Sequence, residues 1–109
     1  MGLGDFRALL IQLADRLQAS GEHRLEEACR SAGGGSDADL ERFLVSDDMW
    51  GGSGSIADQA GLDRDGRSSA HTRGIEEKLA ELGKRQISAG LINRRTPVWT
   101  EAFRRGRKL

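Results

Sequence analysis

An all-α fold, a small bundle of four to five helices with an ordered Gly-rich central loop, is what this 109-residue sequence predicts. Three observations carry that expectation. Apolar residues return at three- and four-residue steps in several stretches, the period of a helix that buries one face. No stretch alternates with the period of two that marks a half-buried strand, although residues 88–93 could pair briefly. Capping residues and glycines stand where those apolar stretches would begin and stop. The length fits one helical domain, 1–109, that holds a single core without a staple.

Residues 5–20 form the clearest helix, with Phe6, Leu9, Leu10, Leu13 and Leu17 in one apolar stripe. Asp5 is placed to cap its start and Ser20-Gly21 to stop it. Residues 22–32 predict a second helix with Leu25, Ala28 and Cys29 inward, and a tight turn at Gly21 makes the pair an antiparallel hairpin. Gly33-Gly34-Gly35 reads as a breaker. Ser36 then caps a short third helix, where Asp37 and Asp39 suit the positive end of the dipole and Leu40, Phe43 and Leu44 form the buried edge.

After the central loop, Ser55 is able to cap a short helix over 56–62, but Gly61 limits it and the stretch stays open between helix, strand and loop. Residues 63–71 are polar and turn-like. A longer helix runs from Thr72 with Ile75, Leu79, Leu82, Gln86 and Ile87 to one side. Gly83 weakens it by about 1 kcal/mol relative to alanine, which predicts a kink. Gly90 or Asn93 ends it. Thr96-Pro97 opens a last helix, since proline in the first helical position loses no bond. Val98, Trp99, Ala102 and Phe103 dock that helix, and residues 104–109 form a basic tail with the composition of a disordered end.

The chain is organised around the stretch from Asp47 to Asp58, which holds a tryptophan, three glycines, two serines and three aspartates within twelve residues. Trp50 and Ile56 both favour burial, so the stretch reads as an ordered loop pinned against the first helix rather than a linker. Gly51, Gly52 and Gly54 would then allow backbone geometry that a Cβ obstructs, and one of them held at φ > 0 is expected to refuse alanine, with Gly52→Ala as the test. Ser55 or Asp58 would satisfy freed N–H groups.

Several chemistries fail on spacing. The amides of Gly51 to Ser55 suggest an anion cradle, yet Ser55 and Ile56 stand where a phosphate loop needs lysine, and Asp47, Asp48 and Asp58 would repel phosphate. Ser53 resembles the nucleophile of a G-x-S-x-G turn, but Ser55 replaces the last glycine and no strand leads in. Asp47, Asp48 and Asp58 read as capping residues before they read as metal ligands. Asp63-Arg64-Asp65-Gly66 echoes a calcium loop without its first or last ligand. His23 and His71 lack ligand spacing, and Cys29 alone completes neither a disulfide nor a zinc site. The sequence therefore predicts no enzyme, no cofactor and no metal.

Net charge is zero, but residues 1–66 carry 13 acids and 6 bases, and residues 67–109 carry 4 acids and 11 bases. The plainest expectation is that the two halves pack together and neutralise one another. Arg94, Arg95, Arg104, Arg105, Arg107 and Lys108, with Trp99 and Phe103 interleaved, form a basic patch that suits nucleic-acid phosphates. No apolar run approaches a membrane span and the N-terminus has no secretory pattern, which together predict a cytoplasmic protein.

Trp50-Gly51-Gly52-Ser53-Gly54-Ser55-Ile56-Ala57-Asp58, preceded by the helix pair from Phe6 to Ala32, resembles an uncharacterised family of short bacterial proteins, a domain of unknown function. That family places an aromatic-Gly-Gly-Met-Gly-Ser-aromatic-Asn-Asp stretch after an amphipathic helix pair. Here Ser53 replaces the methionine, Ile56 the aromatic and Ala57 the asparagine. The resemblance covers residues 5–60, implies a small, mainly helical cytoplasmic protein and supplies no activity. By analogy, such proteins are similar to the immunity partners of toxins. The functional expectation is a non-enzymatic protein that works by protein–protein binding, an immunity-type inhibitor of a toxin; the alternative is a nucleic-acid-binding module using the basic C-terminal third.

Overall fold

The N-terminal apolar stripe folds as helix α1 (Gly4–Ala19), with Phe6, Leu9, Leu10, Leu13, Ala14 and Leu17 all buried. The computed structural model describes residues 3–52, 54–60 and 70–105. After α1 come α2 (His23–Gly34), α3 (Asp37–Leu44), α4 (Ile56–Ala60), α5 (Ala70–Ala89) and α6 (Thr96–Arg104). Helix α1 packs on α2 and on α5, and α5 packs in turn on α6. Leu25 and Cys29 of α2, Leu40 and Leu44 of α3, and Ile75, Leu79 and Leu82 of α5 complete the core. The fold is thus all-α, without a strand among the described residues, and one helix richer than expected because α4 is a helix of its own. None of the helices is long and apolar enough to cross a membrane among the described residues.

Helix ends follow local chemistry. Gly21, at φ 79°, closes α1: its N–H donates to the Gln18 carbonyl, and the Glu22 N–H donates to that of Leu17. That paired arrangement satisfies carbonyls the helix leaves open. Gly90, at φ 75°, ends α5 in the same way, with the Leu91 N–H on the Gln86 carbonyl. Ser36 caps α3 by accepting the Asp39 N–H at 3.1 Å. Asp5 does not cap α1. The helix begins one residue earlier, and the Asp5 carboxylate lies 3.6 Å from Arg85 of α5.

Helix α2 has no basic residue in its last turn, and α1 supplies one. Arg7 donates to the Gly33 and Gly35 carbonyls at 3.0 and 2.6 Å and to Asp37 at 2.6 Å. One guanidinium therefore closes the end of α2 and ties it to the start of α3, a favourable place for a cation at the negative end of a helix. Gly33 and Gly34 consequently stay helical, and the break expected at all three glycines falls at Gly35 alone.

Other expectations shift for equally physical reasons. Helix α5 starts at Ala70 rather than Thr72 and runs through Gly83 as one helix. Gly83 marks the place where α6 comes closest: a Cβ there would fall on the Thr100 hydroxyl and lie 2.9 Å from the Thr100 Cβ. Ile87 and Val98 stay largely exposed, at 42% and 54%, because α6 presents Trp99, Thr100, Ala102 and Phe103 inward. The two charged halves pack together through α1 and α5, and the Asp5–Arg85 ion pair joins them. The polar stretch at 63–71 lies mostly outside the described residues.

Two alanine substitutions separate helix propensity from packing. Gly34 is helical and faces open space, so Gly34→Ala is expected to stabilise by about 0.5–1 kcal/mol. Gly83→Ala must displace Thr100 and is expected to destabilise by about 1–3 kcal/mol. Urea denaturation of the two variants should move in opposite directions from wild type.

Candidate functional site

The central loop is ordered by its own backbone first. Leaving α3, the chain turns so that the Trp50 N–H donates to the Ser46 carbonyl at 3.1 Å, and the Met49 N–H reaches the same residue. The Asp48 and Met49 carbonyls then accept the N–H groups of Ile56 and Ala57 at 2.8 and 3.1 Å. Ser55 Oγ accepts the Asp58 N–H at 3.0 Å, and Asp58 Oδ2 accepts the Gly54 N–H at 3.1 Å. The serine and the aspartate thus cap α4 from opposite ends of its first turn. The expectation that Ser55 and Asp58 satisfy freed amides is met by these bonds.

Trp50 is fully buried and Ile56 nearly so. The polar anchors that hold them come from the C-terminal half rather than from α1. Trp50 Nε1 donates to Gln86 Oε1 at 2.9 Å, and Gln86 Nε2 donates to the Leu44 and Leu91 carbonyls at 2.8 and 2.7 Å. Trp99 Nε1 donates to the Gly51 carbonyl at 3.1 Å. Asn93 Nδ2 reaches the carbonyls of Val45, Ser46 and Trp50 at 3.0–3.2 Å. Its Oδ1 accepts the N–H groups of Arg95 and Thr96, which opens α6. No buried side-chain polar atom lacks a partner among the described residues.

The glycines divide by role. A Cβ at Gly51 would fall on the Asp47 carbonyl oxygen and lie within 2.9 Å of two further Asp47 backbone atoms. Gly54 sits at φ 89°, a region that L side chains enter at a cost. Gly52 is exposed and meets nothing closer than the Arg95 guanidinium at 3.4 Å. Gly51 is therefore the residue that refuses alanine, and Gly52 is not.

The loop amides of Gly54, Ser55, Ile56 and Ala57 donate to internal acceptors, so these four are not free to hold an anion. Asp58 spends its carboxylate on Gly54 and Gln59. The described residues bring no three His, Cys, Asp or Glu side chains together around a metal position. Ser53 lies outside the described residues. His23 is exposed beside Glu26, 3.6 Å away. Burial pushes the Cys29 thiol up to about 12, which keeps it protonated at neutral pH.

The basic patch is divided too. Trp99 and Phe103 are buried and stacked on each other with centroids 5.4 Å apart, so neither ring is open to a base. Arg104 and Arg105 both bond Glu101, at 2.7 and 2.6 Å. The Arg104 hydrogen bond foremost, with Arg105 beside it, holds the Glu101 carboxyl down at about 2. With its folded pKa lowered, any stabilisation from this group is present above its ordinary value near 4.5 and is lost as pH falls towards 2. Arg94 and Arg95 stand apart, exposed, and line a surface groove of about 560 Å³ with Asp47 and Asn93. Arg107 and Lys108 lie outside the described residues. No family model, curated protein or solved structure matches the chain.

Sequence reasoning missed Gln86 and Asn93 as the organising polar residues. The available signal was a glutamine on the apolar face of α5 and an asparagine three residues before Thr96-Pro97. Trp50→Ala is expected to cost about 3–5 kcal/mol. Gln86→Leu leaves the indole N–H and two carbonyls unpaired and should cost at least about 2 kcal/mol. Gly51→Ala should lower the melting temperature clearly, while Gly52→Ala stays within about 0.5 kcal/mol of wild type. Thermal melts of the four variants check the order.

Proposed function

We propose that this protein is a non-enzymatic binding protein that occludes a basic partner protein, as an immunity-type inhibitor occludes a toxin. The observation that carries this reading is the acidic edge made by α3 and the turn after it. Asp37, Asp39, Glu41, Asp47 and Asp48 are all exposed within twelve residues, with Arg42 as the lone cation among them. Asp37 pairs with Arg7 and Asp39 with Arg42. Glu41, Asp47 and Asp48 have no such pairing among the described residues. Such an edge steers a positively charged surface and rejects acidic ones.

Trp50, Ser55 and Asp58 support the non-enzymatic part, because their side-chain hydrogen bonds are spent on holding the loop. The resemblance to short bacterial proteins and a cytoplasmic setting fit the same reading. The rival, a nucleic-acid-binding module, draws on Arg94, Arg95, Arg104, Arg105, Arg107 and Lys108. Of these, Glu101 already neutralises part of the charge at Arg104 and Arg105.

Capture from host lysate with tagged chain, read by mass spectrometry and nucleic-acid staining, tests the proposal. Wild type should retain a basic protein, and Asp39→Lys with Glu41→Lys should weaken that complex at least about tenfold. Arg104→Glu with Arg105→Glu should leave it intact. Recovery of nucleic acid alone, with a steep loss as salt rises, would overturn the reading.

A further inference from the structure

We propose that the face carrying the groove beside the central loop binds a second copy of this chain, forming a two-fold symmetric dimer. The groove is lined by Asp47, Asn93, Arg94 and Arg95. Its three charged residues are exposed, and none of their side chains makes a hydrogen bond or ion pair among the described residues. Asn93 is already committed to the loop carbonyls and to the start of α6. What the groove offers a visitor is therefore one free carboxylate and two free guanidiniums.

That mixture of signs selects the occupant. An acidic peptide on Arg94 and Arg95 would meet Asp47, and a basic peptide on Asp47 would meet both arginines. Each single-sign ligand is opposed by part of the groove. A second copy supplies both signs at the same spacing. A two-fold interface is isologous, so a contact that sets Asp47 of one copy against Arg94 and Arg95 of the other is made twice, and both signs of charge in the groove meet an opposite.

Three further features suit such a contact. The formal net charge is zero, so two copies do not repel one another as whole molecules. Ile92 and Val98, 41% and 54% exposed, flank the two arginines along the chain and add exposed apolar side chains close to them in sequence. Gly52 is exposed beside the Arg95 guanidinium and adds no side chain of its own there. This contact uses Asp47, whereas Asp39 and Glu41 of the acidic edge lie outside the groove.

Sedimentation equilibrium on the full chain tests the dimer through a charge swap. Wild type should show a dimer fraction that grows with concentration and shrinks as salt rises. Asp47→Arg alone, and Arg94→Glu with Arg95→Glu alone, should each weaken self-association at least tenfold, because like charges now meet across the axis. An equimolar mixture of the two variants restores both sets of opposite pairs and should recover a wild-type-like dissociation constant as a heterodimer. Circular dichroism confirms that each exposed substitution leaves the helices intact. A wild-type chain that stays monomeric at its highest soluble concentration would overturn the proposal, and so would a mixture that associates no better than its components. Asp39→Lys with Glu41→Lys should leave the dimer unchanged, so loss of the dimer and loss of a foreign partner are read separately.

Discussion

The hydrogen bond from the Trp50 indole to Gln86, in a site closed to water, is the constraint on which the rest of this structure depends. A buried amide side chain that loses a partner costs far more than it contributes when satisfied. Gln86 therefore fits one arrangement, with Trp50 on its oxygen and the ends of α3 and α5 on its nitrogen. Setting that residue in place fixes where α3 stops, where α5 stops and how deep the loop between α3 and α4 must sit. Asn93 repeats the device one step further along, joining the loop carbonyls to the first turn of α6. The bundle is assembled by apolar burial, but its register is set by these two amides.

The helices were legible in the sequence because their signal is periodic and local. The stripe from Phe6 to Leu17, the stop at Ser20-Gly21 and the Ser36 cap all depend on residues within a turn or two of each other. What depended on distant residues was less legible. Arg7 closing α2 from another helix keeps Gly33 and Gly34 helical, against their propensity. Gly83 looked like a weak point in α5, whereas the close passage of Thr100 explains why it carries no side chain. The same holds at the loop. Its burial followed from Trp50 and Ile56, but Gly51 could not be told from Gly52 without knowing which carbonyl lay behind it.

Charge placement is also set by local geometry. A sum over two halves of the chain suggests that they attract, but ion pairs form over a few ångströms. Most of those described lie within one half, as Arg30 does with Asp15 and Glu26, and Glu101 with Arg104 and Arg105. Asp47 and a pair of unpaired arginines come to line one groove, which no linear count of acids and bases reveals.

Both tryptophans of the chain are buried, and both donate their indole N–H at the same junction, Trp50 to α5 and Trp99 to the backbone of the central loop. The sequence contains no tyrosine. Intrinsic emission and the near-ultraviolet dichroism of the indoles therefore report on a single locus. The protein carries its own optical probe of whether the loop is docked, one that would respond to local release of that loop before the helices themselves melt.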